Sequence, residues 1–219
     1  MPDTSKRIVF VRHGETEWNR ELRYQGRTDV PLSPEGEQQA ELVGRRLAAW
    51  RPDAAFSSPM KRATRTAEII LEKTGVPGNL TVLEEIAEMS FGEWETLRVA
   101  EVKEKFPERY ANWRKDPSTG YPPGGEPFER VCKRVDTAIR EILDLPGKRF
   151  LVVCHGGTIR AAMVGMLGFS FSSVWNIRLD NCGIVVIDTW SSHSTMACWN
   201  DSSHLRLSPG IAPEMLPLP

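Results

Sequence analysis

The sequence predicts an α/β chain, a three-layer α/β/α sandwich with helices on both faces of a mostly parallel sheet. Three observations carry that prediction. Short, continuous apolar runs recur at Ile8–Val11, Phe150–Val153 and Ile184–Ile187, as suits strands buried on both faces. Between them lie longer segments with apolar residues at helical spacing. Two of the runs end in a His-Gly pair, His13-Gly14 and His155-Gly156, and in open α/β sheets ligands collect beyond the carboxyl ends of strands.

Taken in order, Ile8–Val11 is the first strand, ended by the polar turn Arg12-His13-Gly14. Ser33-Pro34-Glu35 reads as a helix start, with Ser33 as cap, Pro34 in the first turn and Glu35 at the positive end of the dipole. Ala40, Val43 and Leu47 continue it as one core-facing stripe. Ala54–Phe56 is a second strand, and Pro59-Met60 opens a helix running to about Glu72. Leu80–Leu83 is a third strand. Phe128, Val131, Val135, Ala138 and Ile142 mark a long amphipathic helix that stops before Pro146-Gly147. After Phe150–Val153 a helix is expected from about Ile159 to Leu167, and Ile184–Ile187 is a late strand. Residues 84–127 hold Trp94, Tyr110, Trp113, Tyr121 and a Pro/Gly-rich stretch at 117–127; this segment is expected to be an insertion roofing the site. One domain is expected over residues 1–207, followed by a Pro-rich tail at 208–219.

With 28 basic and 29 acidic residues in 219, the formal charge is −1. That balance gives no reason to expect nucleic acid or an anionic membrane as partner. Cys132, Cys154, Cys182 and Cys198 are scattered without a Cys-x-x-Cys pair, and residues 1–7 lack the apolar stretch of a signal peptide. Reduced thiols and a cytoplasmic location are therefore expected. No apolar run approaches a membrane span. A homodimer is admitted but not required.

The chemistry concentrates in few residues. There are four histidines, and two of them follow apolar strands and precede glycine. A neutral imidazole can accept a phosphoryl group, and an adjacent glycine lets a dianion approach the backbone. Arg12 beside His13 offers a planar fork of donors to phosphate oxygens. Arg62, early in the helix after Ser57-Ser58-Pro59, is placed to reach the same anion. Taken singly, each is more simply a structural histidine or a solvated arginine; the specificity lies in their co-occurrence.

The stretch Arg12-His13-Gly14-Glu15-Thr16-Glu17-Trp18-Asn19 resembles the signature of the histidine phosphatase superfamily, also called phosphoglycerate-mutase-like. The likeness continues through Tyr24-Gln25-Gly26, Asp29, residues 32–36 and residues 57–62. It resumes at Glu88–Glu95, Pro123–Glu126, Val153–Gly157 and Asn200–Leu205, and so covers nearly the whole chain. The resemblance implies a phosphohistidine at His13, with Arg12, Arg62 and His155 clamping the phosphoryl group and Asn19, Gln25, Gly26 and Gly156 lining the pocket. It implies Glu88 as the proton donor, among Glu84, Glu85, Glu93 and Glu95, most of which are expected to form a solvated acidic face. It further implies a small phosphomonoester as partner and neither metal nor cofactor. His13 needs a bare ring nitrogen, fixed by its other N–H bonding a carbonyl. Glu88 needs a raised pKa in a partly desolvated pocket, and His155 is expected to carry a proton.

The mutases of this family resemble one another in a Glu-Arg-His-Tyr stretch at the acid position and a longer insertion. Here Glu88 is followed by Met89-Ser90-Phe91, which resembles the phosphatase branch, including α-ribazole phosphatases and metal-independent phosphoserine phosphatases. Mutase activity is the lesser alternative. Cys154 to Arg160 also fits the Cys-x5-Arg loop of cysteine-dependent phosphatases, but that reading leaves His13, Arg12, Arg62 and Glu88 without a role. A non-catalytic phosphate-binding protein would have no need of Glu88. No His-Glu-x-x-His or Asp-x-Asp spacing suggests a metal site.

Overall fold

The computed structural model describes residues 5–76, 80–117 and 120–207. Six strands form one sheet in the order β3-β2-β4-β1-β5-β6: β1 (Lys6–Arg12), β2 (Ala54–Ser57), β3 (Leu80–Val82), β4 (Arg149–Cys154), β5 (Ile184–Thr189) and β6 (Ser194–Asp201). The first four run parallel, whereas β5 pairs antiparallel with β1, and β6 with β5. The sheet is thus mixed, with its parallel part at the centre.

Side chains alternate across a strand, and the two cores follow that alternation. Ile8 and Phe10 join Phe56, Phe150, Val152, Val185 and Ile187 on one face, under the apolar sides of α6 (Phe128–Asp144) and α7 (Gly156–Leu167). Val9 and Val11 join Ala55, Leu151, Val153 and Ile184 on the other, under α2 (Pro34–Leu47) and α3 (Lys61–Thr74). Continuous apolar runs in β1 and β4 are what burial on both faces demands. Helices on both faces make the expected sandwich.

The helix starts follow local chemistry. Ser33 accepts a bond from the Gly36 N–H at 3.1 Å, capping α2. Met60 caps α3 without a side-chain bond; Asp29 supplies it from a distant loop, accepting from the Lys61 N–H at 2.8 Å. An anionic acceptor there also suits the helix dipole.

The structure corrects one expectation and adds elements the sequence did not announce. The helix after β4 begins at Gly156 rather than near Ile159, because His155 itself, in extended backbone, is the N-cap. Within the 84–127 segment, for which the sequence predicted no elements, lie α4 (Val99–Lys105) and α5 (Pro107–Lys115). Strand β6 was not foreseen, nor was the one-turn helix α1 (Glu17–Arg20). The tail at 208–219 lies outside the described residues. Among them, no helix is long and apolar enough to cross a membrane.

Candidate active site

Sheet register brings the two histidines together. Arg12 pairs with Cys154 across β1 and β4, so His13 and His155, one residue further, leave adjacent strands at the same level. Their rings lie 5.1 Å apart at 59°. On the far side of β4, Ser57 pairs with Val153, which places Ser58 beside His155 and starts α3 with Arg62 one turn on. Three neighbouring strands therefore deliver their C-terminal residues to one spot.

A cavity of about 230 Å³ opens there, lined among others by Arg12, His13, Asn19, Gln25, Gly26, Arg62, Glu88 and Gly156. Every site residue expected from the sequence lines it except His155, which is fully buried beside His13. Arg23, Tyr24, Phe91, Trp113, Arg160 and Trp175, with Gly157 and Leu179, form the remaining wall.

His13 is 4% exposed. Its Nδ1 lies 2.7 Å from the Gly14 carbonyl oxygen; a carbonyl can only accept, so Nδ1 carries the proton and Nε2 is bare. Burial holds the ring's pKa well below its ordinary value, and Arg62 and Arg12 push the same way. The backbone holding it is doubly fastened: the His13 N–H donates to Cys154 O at 2.9 Å, and Asn181 Nδ2 donates to His13 O and Gly14 O at 3.0 and 3.2 Å. Gly14 was expected to admit a dianion. Instead a Cβ there would meet Gly36 O at 2.4 Å, so its smallness seats this turn against α2.

The arginines are oriented by carbonyls. Arg62, fully buried, donates from Nη1 to Thr28 O at 2.9 Å and from Nη2 to Gly26 O at 2.8 Å. Arg12 donates from Nη1 to Leu179 O at 2.7 Å. The Nε of each has no partner among the described residues. Burial lowers both pKa values, Arg62's to about 10, with Glu88 pulling the other way; both stay cationic at neutral pH.

Glu88 is 9% exposed. Its Oε1 accepts from Met89 N at 2.9 Å and its Oε2 from Gly157 N at 3.2 Å. A Cβ on Gly157 would sit 2.5 Å from Glu88 Oε1, so glycine there lets the carboxyl lie against the start of α7. Asn19 Oδ1 accepts from Thr16 and Asn181, and Gln25 Oε1 is buried without a partner among the described residues. His155 was expected to carry a proton. Burial, with Arg62, His13 and Arg12 adding repulsion, instead holds its pKa well below the ordinary value, so the free ring is neutral.

Several residues that organise the site were not singled out in the sequence. Ser58, Asn181 and Arg160 are three. Glu95 is a fourth, set beforehand among the acids crowding the Glu88 segment. Glu84, Glu85 and Glu93 are exposed, but Glu95 accepts from Arg27 N, Thr28 N, Thr28 Oγ1, Ser90 Oγ and Phe91 N at 2.7–3.2 Å. It welds the Gly26 loop to the segment after Glu88. Gly26 has φ +51°, and a Cβ there would lie 2.2 Å from Glu95 Oε1, so both backbone and space require glycine. Cys154 is fully buried, its thiol pushed well up by burial, and Arg160 spends its donors on the carbonyls of Gly156, Val174 and Ile177. No cysteine-based loop exists here.

Comparison with known proteins points the same way. The profile of the Histidine phosphatase superfamily (branch 1) matches residues 8–202. Phosphoserine phosphatase 1 of Hydrogenobacter thermophilus is 34% identical over 202 residues, covering 91% of this chain and 94% of the relative. The 2,3-bisphosphoglycerate-dependent phosphoglycerate mutase of Cytophaga hutchinsonii is 36% identical over 176 residues, 78% of this chain and 82% of that one. Among solved structures, Bacillus stearothermophilus YhfR superposes with a TM-score of 0.85 at 29% identity, covering 91% of this chain and 98% of its own. The α-ribazole phosphatase of Shigella flexneri gives 0.79 at 28%, covering 89% and 96%.

Proposed function

The chain belongs to the histidine phosphatase superfamily, and within it we propose that it hydrolyses a small phosphomonoester through a phosphohistidine at His13. The observation that carries this reading is the bare Nε2 of a neutral, buried His13, set among Arg12, Arg62 and His155 with Glu88 across the same cavity.

In the first step His13 Nε2 attacks phosphorus, the P–O ester bond breaks, and Glu88 gives its proton to the departing oxygen. In the second, water attacks phosphorus, Glu88 takes a proton from it, and the P–N bond breaks to release phosphate and restore Nε2. Little covalent machinery is needed beyond positioning and charge stabilisation. Arg12 and Arg62 hold the equatorial oxygens, with Asn19, Gln25 and the Gly26 and Gly156 backbone completing the pocket. Phe91 and Trp113, from the 84–127 segment, stand at its wall and face the leaving group, which supports reading that segment as the roof. Cationic side chains supply the charge a divalent ion would bring.

The test is a rapid acid and base quench with phosphorus-labelled substrate. Wild type should trap acid-labile, base-stable phosphate, and His13→Ala none, while Cys154→Ala and dialysis against EDTA leave the rate within about threefold. Activity that survives in His13→Ala, or collapses on chelation and returns with Mg²⁺, refutes the reading. A relative named as a mutase at 36% identity favours a second activity, and phosphorus NMR separates the two: hydrolysis yields inorganic phosphate, mutase action an isomeric phosphoester.

A further inference from the structure

Ser58 Oγ lies 2.6 Å from His155 Nε2, and both residues are fully buried. The same oxygen accepts a bond from the Met60 N–H at 3.3 Å, a group that can only donate. His155 Nδ1 is buried with no partner among the described residues. These contacts decide where two hydrogens sit.

If the ring proton were on Nε2, it would point at an oxygen already accepting from Met60. The Ser58 hydroxyl hydrogen would then need an acceptor elsewhere, and the described residues offer none. Buried hydroxyl groups rarely go unsatisfied. If Nε2 is bare, Ser58 accepts from Met60 and donates to Nε2. Within this Met60–Ser58–His155 relay only the Nδ1 N–H then lacks a partner among the described residues, against two groups, the hydroxyl hydrogen and a bare Nδ1, in the other tautomer.

We propose that Ser58 is a positioning residue that fixes the tautomer of His155, keeping its proton on Nδ1 so that a neutral ring presents an unspent N–H to the phosphoryl group. The two histidines then carry the same tautomer for opposite ends. In His13 the Gly14 carbonyl takes the Nδ1 proton and frees Nε2 to attack. In His155 the Ser58 hydroxyl occupies Nε2 and frees the Nδ1 proton to donate. The ring stabilises a phosphoryl oxygen as a preorganised dipole, which costs no proton uptake before the reaction. The donor role rests on the function proposed above; the tautomer does not.

Long-range proton–nitrogen spectra of the wild-type protein at pH 7.5 test it, with His155 assigned by the resonances lost in His155→Gln. Nδ1 should appear protonated and Nε2 bare, and vanadate, mimicking five-coordinate phosphorus, should shift the Nδ1 resonance. A proton on Nε2, a mixed population, or an Nδ1 that vanadate leaves unmoved overturns the proposal. Ser58→Ala should let both tautomers appear and slow the first-turnover phosphorylation of His13 tenfold or more. A variant that keeps the single tautomer and the wild-type rate also overturns it; if the variant does not fold, the wild-type spectrum decides alone. Wild-type protein that hydrolyses no phosphomonoester would instead defeat the functional reading, with the tautomer still judged by the spectrum.

Discussion

Replacing Glu88 with glutamine separates its chemistry from its architecture. A positioned acid contributes about 10²–10⁴-fold, roughly 2.7–5.4 kcal/mol at 1.36 kcal/mol per tenfold, to expulsion of an ordinary alkoxide. Nitrophenolate is a stable anion and needs that proton far less. Glutamine also has a structural cost. Glu88 accepts from Met89 N through one oxygen and from Gly157 N through the other, and an amide can replace only one of these acceptors. One backbone N–H is left facing an NH₂, at about 1–3 kcal/mol for a buried unpaired donor. That damage is shared by every substrate, so the ratio of losses isolates the proton. In the first-turnover burst of His13 phosphorylation, Glu88→Gln should slow an alkyl phosphate by about 10²-fold or more and nitrophenyl phosphate by about tenfold or less. The burst is the quantity to measure, because the second step uses the same residue as a base and would blur the contrast at steady state. Equal losses for both substrates would remove Glu88 from the acid role.

Two further outcomes follow from bonds remote from the chemistry. Glu95→Ala removes the acceptor of five bonds joining the Gly26 loop to Phe91, so urea unfolding should show a loss of about 2 kcal/mol or more, with weaker vanadate binding as the Gly26 carbonyl releases Arg62. At the opposite end of the sheet, a bond from the Arg149 side chain and the Lys148 and Arg149 N–H groups hold the Asp53 pKa at about 2, against 3.8. A folded-state pKa depressed in this way gives stability that is present above about 4 and lost as pH falls toward 2. Asp53→Asn should therefore cost less than about 1 kcal/mol of stability at pH 6, given solvent screening, and only a small fraction of that at pH 2, read from thermal unfolding, with activity unchanged at pH 7.

The sequence made the centre of the fold and the groups that meet at the cavity legible, for different reasons. β1 and β4 are buried on both faces, which leaves an unbroken apolar signature, and the His-Gly pairs sit where those runs stop. β6 is half-exposed along its length and reads Ser-Thr-Met-Ala-Cys-Trp-Asn-Asp, with no apolar run to announce it. Its pairing with β5 is a tertiary fact. Glu95 was grouped with the acids around Glu88 because spacing says nothing about which acid turns inward; five donors from two separate stretches decide that. Ser58 stood within the quoted Ser57-Ser58-Pro59, but its role appears only once strand register sets it against His155. Asn181 lies far from His13 in sequence and carries no motif of its own.

One electrostatic choice ties these parts together. Four guanidinium groups line the cavity; Arg23 pairs with Glu21, whereas the other three are held by carbonyls: Leu179 for Arg12, Gly26 and Thr28 for Arg62, and Gly156, Val174 and Ile177 for Arg160. A carboxylate would hold an arginine as firmly and cancel its charge. Carbonyls fix the fork and leave the charge unspent. Glu88 is the acid within the cavity lining, and once it carries the proton for the leaving group it no longer offsets the arginines. The uncancelled cations have a second effect, because they raise the cost of a proton on either imidazole. The field that, on the proposed function, attracts a phosphoryl dianion thus adds to burial in keeping His13 and His155 neutral. Replacing a carbonyl contact by an acid, as in Leu179→Asp, would be no substitute, since the bond to Arg12 comes from the backbone and the added charge would compete with the substrate.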